Sequence, residues 1–410
     1  MMVFDTAYTF DVMHKLNMSL FVTVRDVEGY FDNVWTVHAV ASLYCPASSG
    51  LRYGRPIVRK VNQRHTHIEG KIGRFENLAW FPMLNFLFAQ ADLIWFLLKL
   101  IKQNRISIIR AEDPYFNGIL GMIVSRLNRL PLIIGVWSNP EKIRKDTKKT
   151  LSPRLKWMWL ERLVERFTLR RANRALAGNL NNRDFILSLG VQKDSTEVIR
   201  IGTAINTTHF SLPSERKCGR DDLESVGVTD QQVLLCISRL EDLKMADHMI
   251  RALACLKGRG LNIKALYAGD GSLKEIYTKL AEDLGVSDQV VFCGDRDQDW
   301  LNRVIPCVAV VVSPCTGRAL AEAALGGAPI VAYDTEWQSE IIEHGVTGEL
   351  VPFLDYSRMA DSIEKILKDK EYANKIGANV RELTFNMMDP KKINAVLIKL
   401  YDELLEPSKC

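Results

Sequence analysis

The stretch SPCTGRALAEAALGGAP, residues 313–329, decides how this chain folds. The β-branched run VAVVVSP (308–314) leads into it and reads as a short, fully buried strand. A Ser-Pro turn and a single glycine follow, then an alanine-rich run of high helix propensity that Gly326-Gly327 and Pro329 stop. PIVAYD (329–334) begins the next strand. Strand, turn, helix and strand make a βαβ unit, and such units build parallel sheets with helices on their faces. A helix that starts straight after a glycine turn offers backbone N–H groups to an anion. One carboxylate, Glu322, sits among the small residues of that helix, so the run carries a candidate ligand site as well as a fold.

The alternation continues outward. QVLLCIS (232–238), IKALYAG (263–269) and QVVFCG (289–294) are strands of the same series, and helical runs such as DHMIRALACLKGRG and SLKEIYTKLAEDLG close on glycine between them. An earlier series runs through MSLFVTV (18–24), VWTVHAVA (34–41), ISIIRAED (106–113), LPLIIGVW (130–137) and RALAGN (174–179). The polar, turn-rich segment 202–227 separates the two series, and DPKKINAVLIKLYDELLE (389–406) is an amphipathic helix. The reading is an α/β chain of two doubly wound, Rossmann-like domains, 1–205 and 206–388, with helix 389–410 packing back on the first. Ligands are expected in a central cleft at the C-terminal ends of the strands.

Composition bounds the function. At 410 residues, 47% hydrophobic and 25% charged, the chain is a folded two-domain protein and not a disordered one. Its eight cysteines are scattered without a C-x-x-C pair, which argues against a disulfide framework or a zinc knuckle and fits a reducing cytoplasm. No secretory pattern opens the sequence. WFPMLNFLFAQADLIWFLLKLI (80–101) is the most membrane-like stretch, but Pro82, Asn85, Gln90, Asp92 and Lys99 interrupt it, so a buried amphipathic helix is expected.

Several motifs are candidates for chemistry. Arg239 and Lys244 follow directly on the strand 232–238, where cations can neutralise a departing diphosphate. GDGSLK (269–274) lacks the third glycine of a dinucleotide loop. Asp295, Asp297 and Asp299 alternate like metal ligands, but Trp300 and Pro306 stand where a calcium loop needs glycine and an acid. His65 and His67 share a strand face with no third ligand nearby and are read as a surface pair. Glu112 and Asp113 end one strand and Asn139 another, positions from which polar groups meet substrate hydroxyls. Of these, Asp113 is taken as the hydroxyl contact at the reacting centre, with helix capping at Asp-Pro as its alternative. No G-x-S-x-G elbow, H-E-x-x-H or P-loop occurs.

In order, these pieces resemble glycosyltransferase family 4, retaining enzymes of the GT-B fold. The resemblance lies in Ser238-Arg239-Leu240 with Lys244, the turn Gly269-Asp270-Gly271, and Val290-x-Phe292-x-Gly294. It continues through Gly317-x4-Glu322-Ala323, Gly327-x-Pro329 and Glu340-Ile-Ile, over residues 232–352. It implies sugar transfer from a nucleotide-sugar donor, UDP- or GDP-linked, to a glycan or lipid-linked glycan in cell-surface polysaccharide assembly, with no metal or cofactor. It also implies that Gly317, Arg318, Ala319 and Leu320 meet the diphosphate and sugar, that Glu322 and Glu340 complete the donor site, and that Arg239 and Lys244 stabilise the leaving nucleotide. Two features depart from the family. Pro314 stands where the family has a first glutamate, eight positions before Glu322, and VRDVEGYFD (24–32) offers only Gly29 where a Gly-Gly loop is usual. The alternatives are a non-catalytic nucleotide-sugar-binding or membrane scaffold protein and a nucleotide-sugar epimerase of the same fold.

The basic residues are unevenly placed. Residues 141–174 hold twelve Lys/Arg against four acids, a net charge of +8. A helix from about Pro153 would align Leu155, Trp159, Leu163 and Phe167 on one side, with Trp157 off that stripe. The segment 142–174 is therefore expected to hold an anionic membrane surface on the cytoplasmic face, beside a lipid-linked acceptor. No nucleic-acid recognition pattern accompanies the charge.

Overall fold

The computed structural model describes residues 1–15, 18–46, 50–147, 157–217, 219–229 and 232–406. The chain divides into two compact units, Met1–Arg200 with Lys391–Cys410, and Ile201–Pro390.

The first unit is built on strands β1 (Met2–Phe4), β2 (Val34–His38), β3 (Ile57–Lys60), β4 (His65–Glu69), β5 (Ile109–Ala111), β6 (Leu132–Val136), β7 (Arg174–Ala177) and β8 (Thr196–Val198). They lie in the order β3-β4-β2-β1-β5-β6-β7-β8, parallel except for the antiparallel edge strand β3. Apolar groups from the Pro82–Asn104 and Phe116–Asn128 helices, among them Leu93, Leu97 and Leu120, cover one face. The other face is closed by Ile393, Leu397 and Tyr401 of the Pro390–Leu405 helix, packed on Val3, Ile108 and Leu176. Residues 18–24 are not a strand: Leu20–Thr23 is a helical turn that continues into the tight turn Val24–Asp26. The central place beside β2 belongs to Met2–Phe4, where all three residues are buried, and that tertiary position outweighs the local β propensity of the later run. His65 and His67 are buried rather than on the surface. His65 Nδ1 pairs with Asn62 Oδ1 at 2.9 Å, and burial lowers the pKa of His67 to about 4.

The second unit holds β9 (Gln232–Ile237), β10 (Ile263–Ala268), β11 (Val290–Gly294), β12 (Val310–Ser313), β13 (Ile330–Tyr333) and β14 (Glu349–Val351). All are parallel, in the order β11-β10-β9-β12-β13-β14, with an apolar core on each face. Gly269 and Gly271 permit a close approach: a Cβ at either would overlap the carbonyl of Ser238 or of Leu240. The glycine pair thus brings the loop after β10 against the loop after β9.

Candidate functional site

In the second unit the chain leaves β9 for β10 on one side, and β12 pairs with the opposite edge of β9. That reversal opens a crevice at the carboxyl ends of the two strands. Ser238 and Arg239 leave β9 there, and Lys244 ends the tight turn Asp242–Lys244. Arg239 is exposed and Lys244 half-buried, and neither side chain has a hydrogen bond or ion pair among the described residues. Two cations without an internal partner at a strand-end crevice suit an anionic ligand.

The neighbouring loop is held from behind. The Gln338 amide donates to the carbonyls of Ser313 (2.9 Å) and Pro314 (3.3 Å), and Trp337 Nε1 donates to that of Thr316 (3.2 Å). The Ser313 and Thr316 hydroxyls bond to each other. These contacts fix the turn from which the Arg318–Leu325 helix starts, with Gly317 as its N-cap. At the far end of that helix, Arg216 donates to the Leu325 carbonyl at 2.8 Å. Sequence reasoning missed Trp337, Gln338 and Arg216, because each acts on residues 21 or more positions away. The local signal was the run TEWQSE (335–340), which ends in Glu340.

Glu322 is buried, and Arg318 Nε lies 2.8 Å from its carboxylate one helical turn earlier. Burial pushes the Glu322 pKa up, and Arg318 opposes that shift. The Leu320 N–H donates to the Gly317 carbonyl at 3.1 Å and so closes the first turn, while Ala319 follows Arg318 within it. Glu340 ends the tight turn Gln338–Glu340 after β13, at the same edge of the sheet.

The first unit's candidates are arranged differently. Asp113 follows β5; its Oδ1 accepts the Tyr115 N–H at 2.8 Å and its Oδ2 accepts from Asn117, while burial raises its pKa to about 6. These contacts hold the turn that leads into the Phe116–Asn128 helix. Glu112 pairs with Arg110 at 2.9 Å and accepts from Trp137 Nε1 at 2.8 Å. Asn139 donates to Asn181 at 2.9 Å and accepts the Lys142 N–H at 3.2 Å. The aspartate alternation of 295–299 resolves into local supports: Asp295 accepts from the Asp270 N–H, Asp297 caps the Gln298–Val304 helix, and Asp299 accepts from Asn206.

Part of the basic segment is also internal. Arg144 is buried and binds Glu161 (3.0 Å) and Glu165 (2.6 Å), and the Tyr115 hydroxyl donates to Glu165 at 2.6 Å. The helix here is Met158–Leu169, and Trp159, Leu163 and Phe167 point outward, exposed. Lys148, Lys149, Pro153, Arg154, Leu155 and Lys156 lie outside the described residues.

Comparison with known structures defines the class. A structure of Anabaena HepE in complex with UDP and glucose covers 98% of this chain and 99% of its own, with a TM-score of 0.73 at 18% identity. Sucrose-phosphate synthase from Thermosynechococcus elongatus covers 98% of each chain, with a TM-score of 0.71 at 16% identity. The fold is GT-B. Residues 221–383 match the family model of glycosyl transferases group 1, and they hold most of the motif order that resembles family 4. Alpha-D-kanosaminyltransferase of Streptomyces kanamyceticus is 26% identical over 269 residues, 64% of this chain and 67% of that protein. A GDP-mannose-dependent phosphatidylinositol monomannoside mannosyltransferase of Mycobacterium tuberculosis is 29% identical over 164 residues, 37% of this chain and 43% of that protein. The chain thus spans between two fifths and two thirds of the length of these two relatives.

Proposed function

We propose that the protein transfers a hexosyl group from a UDP- or GDP-linked donor to a glycan or lipid-linked glycan acceptor, with retention at the anomeric carbon and without a metal ion. The carrying observation is the pair Arg239 and Lys244, without partners among the described residues and beside a turn that Gln338 and Trp337 hold. As the bond between the anomeric carbon and the phosphate oxygen breaks, negative charge grows on the diphosphate. Two cations at that point stabilise the transition state more than the ground state. The acceptor oxygen then bonds the anomeric carbon on the same face, and its proton goes to the departing phosphate. Arg318 and Glu322, paired without ligand, supply a cation for donor oxygens and a carboxylate for the ribose hydroxyls. Relatives named as transferases of kanosamine and mannose support the sugar class.

The membrane reading of 142–174 belongs to the same proposal and puts the enzyme on the cytoplasmic face of the cell membrane. Pro314, in place of the family's first glutamate, favours the scaffold as the second reading. Release of nucleoside diphosphate from UDP- and GDP-sugars in excess EDTA separates the two. Turnover supports the transferase, and tight nucleotide binding without turnover on any acceptor supports the scaffold.

A further inference from the structure

Two helices of the first unit are turned inside out. In the Pro82–Asn104 helix the early polar residues face inward: Asn85 accepts the N–H groups of Arg74 (2.6 Å) and Phe75 (2.9 Å), and Gln90 donates to the Lys71 carbonyl. The apolar residues at its start face out. Trp80, just before the helix, is 91% exposed and Met83 77% exposed, and Phe81, Leu84, Leu87 and Phe88 are exposed beside them. The helix is long and apolar enough to cross a membrane, yet Leu93, Leu97 and Leu100 are buried on the sheet, so it lies along the unit's surface.

The Met158–Leu169 helix repeats the inversion. Glu161 and Glu165 are buried against Arg144, while Trp157, Trp159, Leu163 and Phe167 are exposed. Arg162, Arg166, Arg170 and Arg171 are exposed among them. An ordinary surface helix does the reverse, because exposed apolar area costs free energy in water. The Pro82–Asn104, Phe116–Asn128 and Met158–Leu169 helices lie in the β4-to-β5, β5-to-β6 and β6-to-β7 connections, all running one way along the parallel strands, so the three share one face of the sheet. Phe116 lies 6.0 Å from Phe86, and the Thr168 hydroxyl donates to the Pro114 carbonyl at 2.7 Å.

We propose that these two faces dock together on an anionic lipid bilayer. The 80–95 stretch would enter the boundary between headgroups and acyl chains, and the arginines of 162–171 would lie on lipid phosphates. This rests on the membrane reading of 142–174 and widens it: the larger apolar piece comes from elsewhere in the chain. Charge selects the bilayer over a second copy. Of the acids on the two helices, Asp92 is paired with Arg74 at 3.0 Å and the other two are buried. Glu141, from outside them, pairs with Arg162 at 2.5 Å, so the outward charge that remains at the second helix is that of Arg166, Arg170 and Arg171. Two copies meeting face to face would bring like arginine rows together. A bilayer offers both the apolar boundary that tryptophan and phenylalanine prefer and the anions that guanidinium groups bind.

The experiment is co-sedimentation of the full-length protein with neutral phosphatidylcholine vesicles and with vesicles containing 30% phosphatidylglycerol. Three proteins are compared: wild type, Trp80→Ser/Phe81→Ser/Met83→Ser, and Arg166→Gln/Arg170→Gln/Arg171→Gln. All the substituted side chains are exposed, so Tm should hold. Wild type should bind both vesicles, the anionic ones more tightly. The apolar triple should lose about a hundredfold on both, and the arginine triple about a hundredfold on anionic vesicles only, at roughly fivefold per arginine. Brominated lipids should quench wild-type tryptophan fluorescence. Wild-type binding by the apolar triple would leave the basic segment as the sole anchor and refute the proposal. So would a wild-type dimer in vesicle-free buffer that the apolar triple dissolves. UDP and GDP binding reads the donor site separately, so failure here is distinguishable from failure of the transferase reading.

Discussion

The carboxyl edges of the two sheets invite comparison, because doubly wound folds bind ligands at such edges. In the second unit, Arg239 and Lys244 stand there with no partner among the described residues, beside a loop that other residues clamp. In the first, Glu112, Asp113 and Asn139 occupy the same kind of position, but their polar atoms are engaged within the chain. A charged residue at a strand end is therefore no sufficient sign of a ligand site. What separates the two edges is whether the fold has already supplied a partner.

The strongest way to break this contrast is in the first unit, at Arg144. Replacing it by Met leaves Glu161 and Glu165 buried without their counter-charge. Removing one partner of a buried pair typically costs about 3–5 kcal/mol. Urea unfolding should show a loss of that order, whereas a loss under about 1 kcal/mol would mean the cluster is not structural.

At the second unit's edge the effect should fall on rate and not on stability. Arg239→Ala and Lys244→Ala should each lower kcat/KM about a hundredfold, about 2.7 kcal/mol of transition-state stabilisation, with Tm unchanged. Near-wild-type kinetics in both would erase the distinction between the edges.

Glu322 sharpens the contrast, since it has an internal partner and a proposed ligand. A ribose contact is made about equally in ground and transition states, so Glu322→Gln should raise donor KM about tenfold and leave kcat nearly unchanged. If the carboxylate serves only Arg318, Tm falls and KM does not move.

The remaining test lies in the first unit, at Asp113. Its folded pKa of about 6 lies above the ordinary aspartate value of 3.8, so the folded protein holds the proton more tightly than the unfolded chain does. Wild-type stability should then decline as pH rises from about 4 to 6 and level off above. Asp113→Asn should remove that slope, a difference of about 2 kcal/mol in denaturation curves between pH 4 and 7. An unchanged slope in the variant would assign the titration to another group.

Much of the second unit was legible because its signals are local. Strands such as Leu234–Ile237 within β9 are apolar runs ended by glycine or Ser-Arg, and the motifs follow one another in order. In the first unit, β1 is three residues long, and β3 and β4 carry Arg59, Lys60, His65 and His67, so neither length nor alternation marked them. Their places come from pairing with β2 and β5, which the sequence does not print. The outward face of Pro82–Asn104 was hidden for a related reason. Composition shows that the helix is apolar, but the direction of each face depends on Asn85 reaching the backbone at Arg74 and Phe75. Glu161 and Glu165 likewise read as surface charges until Arg144 is seen between them.

The central claim, a nucleoside-diphosphate site built on unpartnered cations, is tested most directly by calorimetric titration of UDP and GDP in excess EDTA. The titrated proteins are wild type and the Arg239→Ala/Lys244→Ala double variant. Wild type should bind one of the two nucleotides with a micromolar Kd, and the double variant should bind it at least about a hundredfold more weakly at the same Tm. Equal binding by both proteins, or binding that appears only when a divalent metal is added, would contradict the account.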